Sequence, residues 1–222
     1  IVTTVTKPFR LKDAHAQVGV RVGFAHETIS RMATGPILLD RAEEALDLAR
    51  ANAGNRVAAY DDKAAQSRVR ARAIEQAMSG AMERDEFHIV YQPQIDLATQ
   101  ELCGVEALVR WHNRDLGPVG PDEFIPVAES NGAIQDLGRW VLRNAMKEGL
   151  LLPPHVSLAI NVSAIQMMTG DVVADVRDAL KATGFPAPRL WLELTESTFL
   201  TPTPAMLGAM DDIESLGASW AL

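Results

Sequence analysis

At 222 residues, 47% of them hydrophobic, the chain has enough apolar side chains to build a core as one large domain or two modest ones. A formal net charge of -8 gives no general electrostatic footprint for duplex nucleic acid, so no DNA partner is expected, and a phosphate-bearing ligand must be met by a local cluster or by metal ions. The lone Cys103 excludes an internal disulfide, five scattered histidines without HxxxH or CxxC spacing argue against zinc, and no apolar run approaches the ~18 residues that cross a bilayer, so a reducing, cytoplasmic setting without membrane contact fits best.

The opening IVTTVTKPF lacks the layout of a signal peptide. The chain does not begin with Met, and a longer protein tethered to a membrane through an N-terminal region is compatible with it. In QVGVRVGFAH, Val18, Val20 and Val22 alternate with Gly19, Arg21 and Gly23, the period of a strand. A helix follows in ILLDRAEEALDLARANAGNR, where Leu38, Leu39, Ala42, Ala45, Leu46 and Leu48 fall mostly at helical spacing and Gly54 is placed to end it. Val57 to Tyr60 reads as a closing strand. From Asp62 to about Arg84, Val69, Ala73, Ala77 and Ala81 at i,i+4 spacing predict a connecting helix whose last turn Gly80 weakens. The expected divisions are therefore 1–61, a linker helix over 62–86, and 87–222.

After Phe87 strand and helix patterns alternate, which calls for an α/β fold. The strands are FHIVYQP, ELCGVEALVRW, VSLAINVS, LWLELTES and ASWAL. Helices are expected from Pro121 into AESNG and through GRWVLRNAMKEGLL, VVADVRDALKATG and AMLGAMDDIESLG. Several strands meet a polar or acidic residue near their C-terminal ends, where a (β/α) barrel keeps its chemistry. Such a barrel closes with eight strands, and ASWAL is a bare apolar edge, so further residues are expected past Leu222.

In VEALVRW, period-2 alternation places Glu106, Leu108 and Arg110 on one face and Val105, Ala107 and Val109 on the other. Glu106 and Arg110 are thus matched either to a divalent cation and a phosphate oxygen or to each other as a structural pair. Asn161 ends the apolar strand VSLAI, where its amide oxygen either completes an oxygen-rich metal shell or caps the next turn. Glu193 lies between Leu192 and Leu194, and a carboxylate so flanked requires a cation or a hydrogen-bond partner. Glu196 just beyond is either an orienting group or a first-turn residue. Glu106, Asn161 and Glu193, oxygen donors at three strand ends, suit Mg²⁺ or Mn²⁺ better than zinc. Asp211 and Asp212 lie on a helical pattern and read as a solvated face, the histidines as structural, and Cys103 as a buried small hydrophobe.

In their order, VYQPQIDLATQELCGVEALVRW, GPVGPDEFIPVAESNG, LGRWVLRNA, AINVSA and LELTES resemble the EAL domains that hydrolyse the bacterial second messenger cyclic di-GMP to linear pGpG. The resemblance covers residues 87 to 222. It implies a modified (β/α)8 TIM-type barrel with an antiparallel first strand and the dinucleotide across its C-terminal face. It implies metal ligation by Glu106, Asn161 and Glu193, in a site completed by two Mg²⁺ or Mn²⁺ ions, with Glu106, Glu193 and Glu196 serving catalysis. Arg110 would touch a phosphate, Gln92 would lie near the ligand, and Glu196 would steady a catalytic loop. The family places Asp-Asp-Phe-Gly directly after the strand matching ASWAL, and later a Lys and a further Glu, all beyond Leu222. Residues before Asp61 resemble the rear part of a GGDEF domain, with GVRVGFAH as its late strand and DRAEEALDLARANAGNRVAAYD as its last helix and strand; the signature turn of that family is not in this chain. A homodimer through the EAL domain or the linker helix is common in the family. The alternative is a non-catalytic cyclic di-GMP receptor that signals through the linker helix, and a third reading is an interaction scaffold that binds no nucleotide.

Overall fold

Glycine decides how the first strands meet their helix. The computed structural model describes residues 2–12, 15–26, 34–51, 56–194 and 203–221, and its contacts divide the chain into the units Ile1–Arg70 and Ala71–Leu222. The first unit holds a short helix α1 (Val2–Val5), an antiparallel pair β1 (Phe9–Arg10) and β2 (His15–Ala16), and a parallel pair β3 (Val22–Phe24) and β4 (Val57–Ala59) that flank helix α2 (Gly35–Ala51) in sequence. The helix α2 buries Ala45 and Ala49. A Cβ on Gly23 would overlap the backbone of Ala42 and Leu46 and stand 2.6 Å from the Leu46 Cα, so β3 lies against α2 at a distance that only glycine permits.

Two expectations for this region change. The strand expected from Val18 is confined to Val22–Phe24, and Val18 is exposed; alternation with glycines supplies period 2 but no side chains for a second face. Gly54, the expected helix stop, lies outside the described residues. Helix α3 (Asp62–Met78) is started by the Asp61 carboxylate, which accepts from the Lys63 and Ala64 amides at 2.8 and 3.3 Å. It ends at Met78 rather than near Arg84, because Gly80 takes φ 72°, a left-handed conformation that stops a helix. The buried stripe at its end is Ile74, Met78 and Ala81, whereas Val69 is exposed.

In the second unit the described strands form one sheet. Strand β5 (Phe87–Ile95) pairs antiparallel with β6 (Leu102–Asn113); β8 (Ser157–Asn161), β9 (Leu190–Glu193) and β10 (Ser219–Ala221) then follow side by side, parallel to β6. A short β7 (Gly117–Val119), not expected from the sequence, folds back onto the end of β6. The Asp96 carboxylate tightens the β5–β6 hairpin by accepting from the Ala98 and Thr99 amides at 2.9 and 2.8 Å. One sheet face is covered by α4 (Pro121–Asn131), α5 (Ile134–Gly149), α7 (Val172–Thr183) and α8 (Pro204–Ser215), with the short α6 (Ala164–Thr169) directly after β8. Toward these helices point Val105, Ala107, Trp111, Leu158, Ile160, Leu190 and Leu192, each at most 5% exposed. Side-chain parity turns the polar residues of the same strands to the other face.

The hairpin carries one irregularity. The register slips between Gln94 and Ile95, leaving Cys103 without a Cα partner between Gly104 and Leu102. Cys103 is therefore exposed rather than buried, its thiol 3.3 Å from the Gln94 carbonyl oxygen.

Candidate active site

Strand register assembles the polar face. Glu106 on β6 is paired with Ala159 on β8, two residues before Asn161, and Asn161 is paired with Glu193 on β9. Gln92 on β5 stands opposite Glu106. Residues in register point to the same side of a sheet, so Gln92, Glu106, Asn161 and Glu193 share one face at successive strands. Asn161 Nδ2 donates to Glu106 Oε1 at 2.7 Å, which joins two residues 55 positions apart and leaves the amide oxygen free for another partner. The Val162 amide donates to the Glu193 carbonyl at 2.9 Å, extending the ladder past the end of β8.

Burial, and then the charge of Glu106, push the Glu193 carboxyl above the ordinary carboxylate range, while a hydrogen bond from Gln94 opposes the rise. Gln94 was not read from the sequence as a site residue. Gly104 opposite it makes the contact possible, since a Cβ there would stand 2.6 Å from Gln94 Oε1 and 2.5 Å from Ser157 Oγ. The available signal was parity alone: Gln94 follows Gln92 by two positions.

Arg110 lies on the face of Glu106, four residues toward the C-terminal end of β6, and its Nη1 donates to the Val109 carbonyl at 2.9 Å. Among the described residues it forms no ion pair with Glu106, which removes the structural-pair reading. Beside it a cleft of about 550 Å³ opens at the carboxyl ends of β6 and β8. Arg110 and Asn161 line it together with Leu108, Ile125, Glu129 and Ile165.

Glu196 lies outside the described residues. Asp211 and Asp212 are exposed on α8, as a solvated helix face requires. Among the described residues no three His, Cys, Asp or Glu side chains gather as a metal site; the convergence found is two carboxylates with an amide.

The EAL domain family matches residues 73–222. The chain belongs to the EAL-domain family. An uncharacterized protein, y4lL, of Sinorhizobium fredii is 34% identical over 223 residues, covering 100% of this chain and 27% of that protein. The cyclic di-GMP phosphodiesterase NbdA of Pseudomonas aeruginosa is 35% identical over 153 residues, 67% of this chain and 20% of its own length. Among solved structures, the PaMucR phosphodiesterase in complex with c-di-GMP superposes with a TM-score of 0.63 at 31% identity, over 67% of this chain and 62% of that one. The EAL domain thus has cyclic di-GMP phosphodiesterases among its homologues. The chain spans about a quarter of the length of curated relatives such as y4lL. Among the described residues no helix is long and apolar enough to cross a membrane.

Proposed function

We propose that this EAL domain hydrolyses cyclic di-GMP to linear pGpG with the help of Mg²⁺ or Mn²⁺. The observation that carries the reading is the Glu106–Asn161 hydrogen bond with Glu193 in register beside it, in a family that includes a cyclic di-GMP phosphodiesterase 35% identical to this chain.

The donor set fits a hard divalent cation: two carboxylates and an amide oxygen, with no sulfur or imidazole. The upward push on Glu193 by burial and by Glu106 is the electrostatic mark of a pair that a cation would relieve. Glu106, Asn161 and Glu193 would hold the metal, which when bound supplies Lewis acidity toward a phosphodiester and lowers the pKa of water. Arg110 presents a guanidinium that suits a phosphate oxygen. Gln92 faces the ligand from β5, and Gln94 orients Glu193 by donating to it. The cleft beside Arg110 and Asn161 offers a dinucleotide a concave, mainly apolar wall. Glu196 is assigned to steadying a catalytic loop that follows the next strand, β10.

In the same reading, the open sheet with its antiparallel β5 is the first part of a modified (β/α)8 barrel, and α3 belongs to a linker over 62–86. The β3–α2–β4 unit belongs to a GGDEF-like domain over 1–61, and the protein forms a homodimer through the EAL domain or the linker.

The test is chromatographic. Full-length natural protein with Mg²⁺ or Mn²⁺ is expected to convert cyclic di-GMP to pGpG, and Glu106→Ala to abolish conversion. Intact cyclic di-GMP with the wild type, or unchanged turnover in Glu106→Ala, refutes the catalytic reading. Calorimetric binding without turnover would return the receptor reading.

A further inference from the structure

The strand that carries Glu106 and Arg110 outruns its neighbour. Parallel pairing of β6 with β8 stops at Ala107, and β7 takes up that side only at Trp111. On its other side β6 is held by the start of β5, where His88 pairs with Arg110 and Phe87 with Trp111. The strand end that aims Arg110 therefore depends on what fixes residues 111 to 113 and the entry to β5.

Both are fixed by one carboxylate. Glu86 Oε2 accepts from Trp111 Nε1 at 3.0 Å and from Asn113 Nδ2 at 2.9 Å, and the Glu86 carbonyl accepts from the His112 amide at 2.9 Å. The Trp111 ring, 2% exposed, packs 5.3 Å from Phe87 and 5.8 Å from Phe124, centroid to centroid. Glu86 Oε1 accepts from Arg84 Nε at 2.7 Å. The same guanidinium donates through Nη1 to the Ser79 carbonyl at 2.9 Å and through Nη2 to the Ala77 carbonyl at 2.7 Å, where α3 ends. Gly80 makes room for it: a Cβ there would stand 2.8 Å from Arg84 Nη1. The Glu86 side chain is only 9% exposed while that of Arg84 is 47% exposed, so loss of Arg84 would take the counter-charge from a nearly buried carboxylate and release the two exposed carbonyls at the end of α3 to water.

We propose that Arg84 and Glu86 are positioning residues for Arg110, locking the end of β6 to the end of α3 so that the helix terminus sets where the Arg110 guanidinium meets a phosphodiester. The proposal rests on the reading of Arg110 as a phosphate-facing group. Guanidinium is the group that suits this joint, because its planar fork serves a carboxylate and two carbonyls at once while an ammonium offers a single centre.

A double-mutant cycle tests it, with the affinity of full-length natural protein for cyclic di-GMP measured by calorimetry in wild type, Arg84→Met, Arg110→Ala and the double variant. Arg84→Met is expected to weaken binding about tenfold in the wild-type background and less than about twofold when Arg110 is already alanine. Arg84→Lys is expected to recover part of the affinity. Equal weakening in both backgrounds, or none in either, overturns the proposal. If Arg84→Met does not fold, the cycle is run with Arg84→Lys and Glu86→Gln, read by the same criterion. Failure of the wild type to bind cyclic di-GMP instead refutes the functional reading itself, and so separates the two failures.

Discussion

Gly138 on α5 is where the scaffold behind Asn161 can be broken by one methyl group. Two residues after Asn161, Ser163 begins α6 with a capping box: the Gln166 amide donates to Ser163 Oγ at 3.2 Å, and the Ser163 amide donates to Gln166 Oε1 at 2.9 Å. Gln166 is 6% exposed, and a Cβ on Gly138 would overlap its Nε2 and stand 3.0 Å from its Cδ. Alanine in place of glycine inside a helix normally gains ~0.5–1 kcal/mol. Here Gln166 must leave the capping box, costing ~0.5–2 kcal/mol, or remain in an overpacked site costing ~1–3 kcal/mol. With the helix gain subtracted from the overpacking cost, Gly138→Ala is therefore expected to lose up to about 2.5 kcal/mol of stability and to lower turnover by loosening the segment that holds Asn161. Shortening the other partner reverses the sign: in a Gln166→Ala background, Gly138→Ala is expected to raise stability by ~0.5–1 kcal/mol. Denaturant melts of the four proteins read both effects. An increase in stability for Gly138→Ala alone, or the same sign in both backgrounds, would refute the reasoning.

Asn161→Ala removes the donor to Glu106 and the proposed amide ligand, and is expected to cut cyclic di-GMP turnover ~100-fold or more while the melting temperature moves by only a few degrees; retention of most activity would exclude Asn161 from the site. For Glu193 the folded pKa is raised from 4.5 by burial and by Glu106, so the carboxyl is least costly when protonated and its penalty grows as pH rises through the raised value. Glu193→Gln is thus expected to melt higher than wild type at pH 7 in chelator and no higher at pH 4, while losing activity; a lower melting temperature at pH 7 contradicts this sign. Glu86 behaves in the opposite way, because hydrogen bonds from Arg84, Trp111 and Asn113 lower its pKa from 4.5 to about 2. Its contribution is present above 4.5 and is lost as pH falls toward about 2, so acid titration of Glu86→Gln should be flatter than wild type across that window, and parallel curves would exclude the effect.

The parts of this domain legible in the sequence are those where a side chain's place depends on its own element. Period-2 alternation set Glu106 and Arg110 on one face and Val105 and Ala107 on the other, because parity within a regular strand needs no partner. Parity fails where a partner slips: the irregularity at Gln94/Ile95 leaves Cys103 exposed, and only the paired strand reveals that shift. Gln94 escaped notice for the same reason, since its contact with Glu193 depends on Gly104 across the hairpin. Helix α6 has six residues, too few for a helical period, and its trace was the Ser163…Gln166 capping pair. Along α3 and just past it, the expected stripe held at Ala81, which is buried, and failed at Val69, which faces solvent while Ile74 and Met78 are buried, because many alanines let several stripes fit equally well. Nothing local in MERDEF marks Arg84 or Glu86 as a structural joint. The Glu86 carboxylate takes its partners from Trp111 and Asn113, residues 25 and 27 positions away, which no local pattern connects to it. Carboxylates that end strands announce themselves locally, whereas groups that hold those strand ends in place become visible only when distant backbone ends meet.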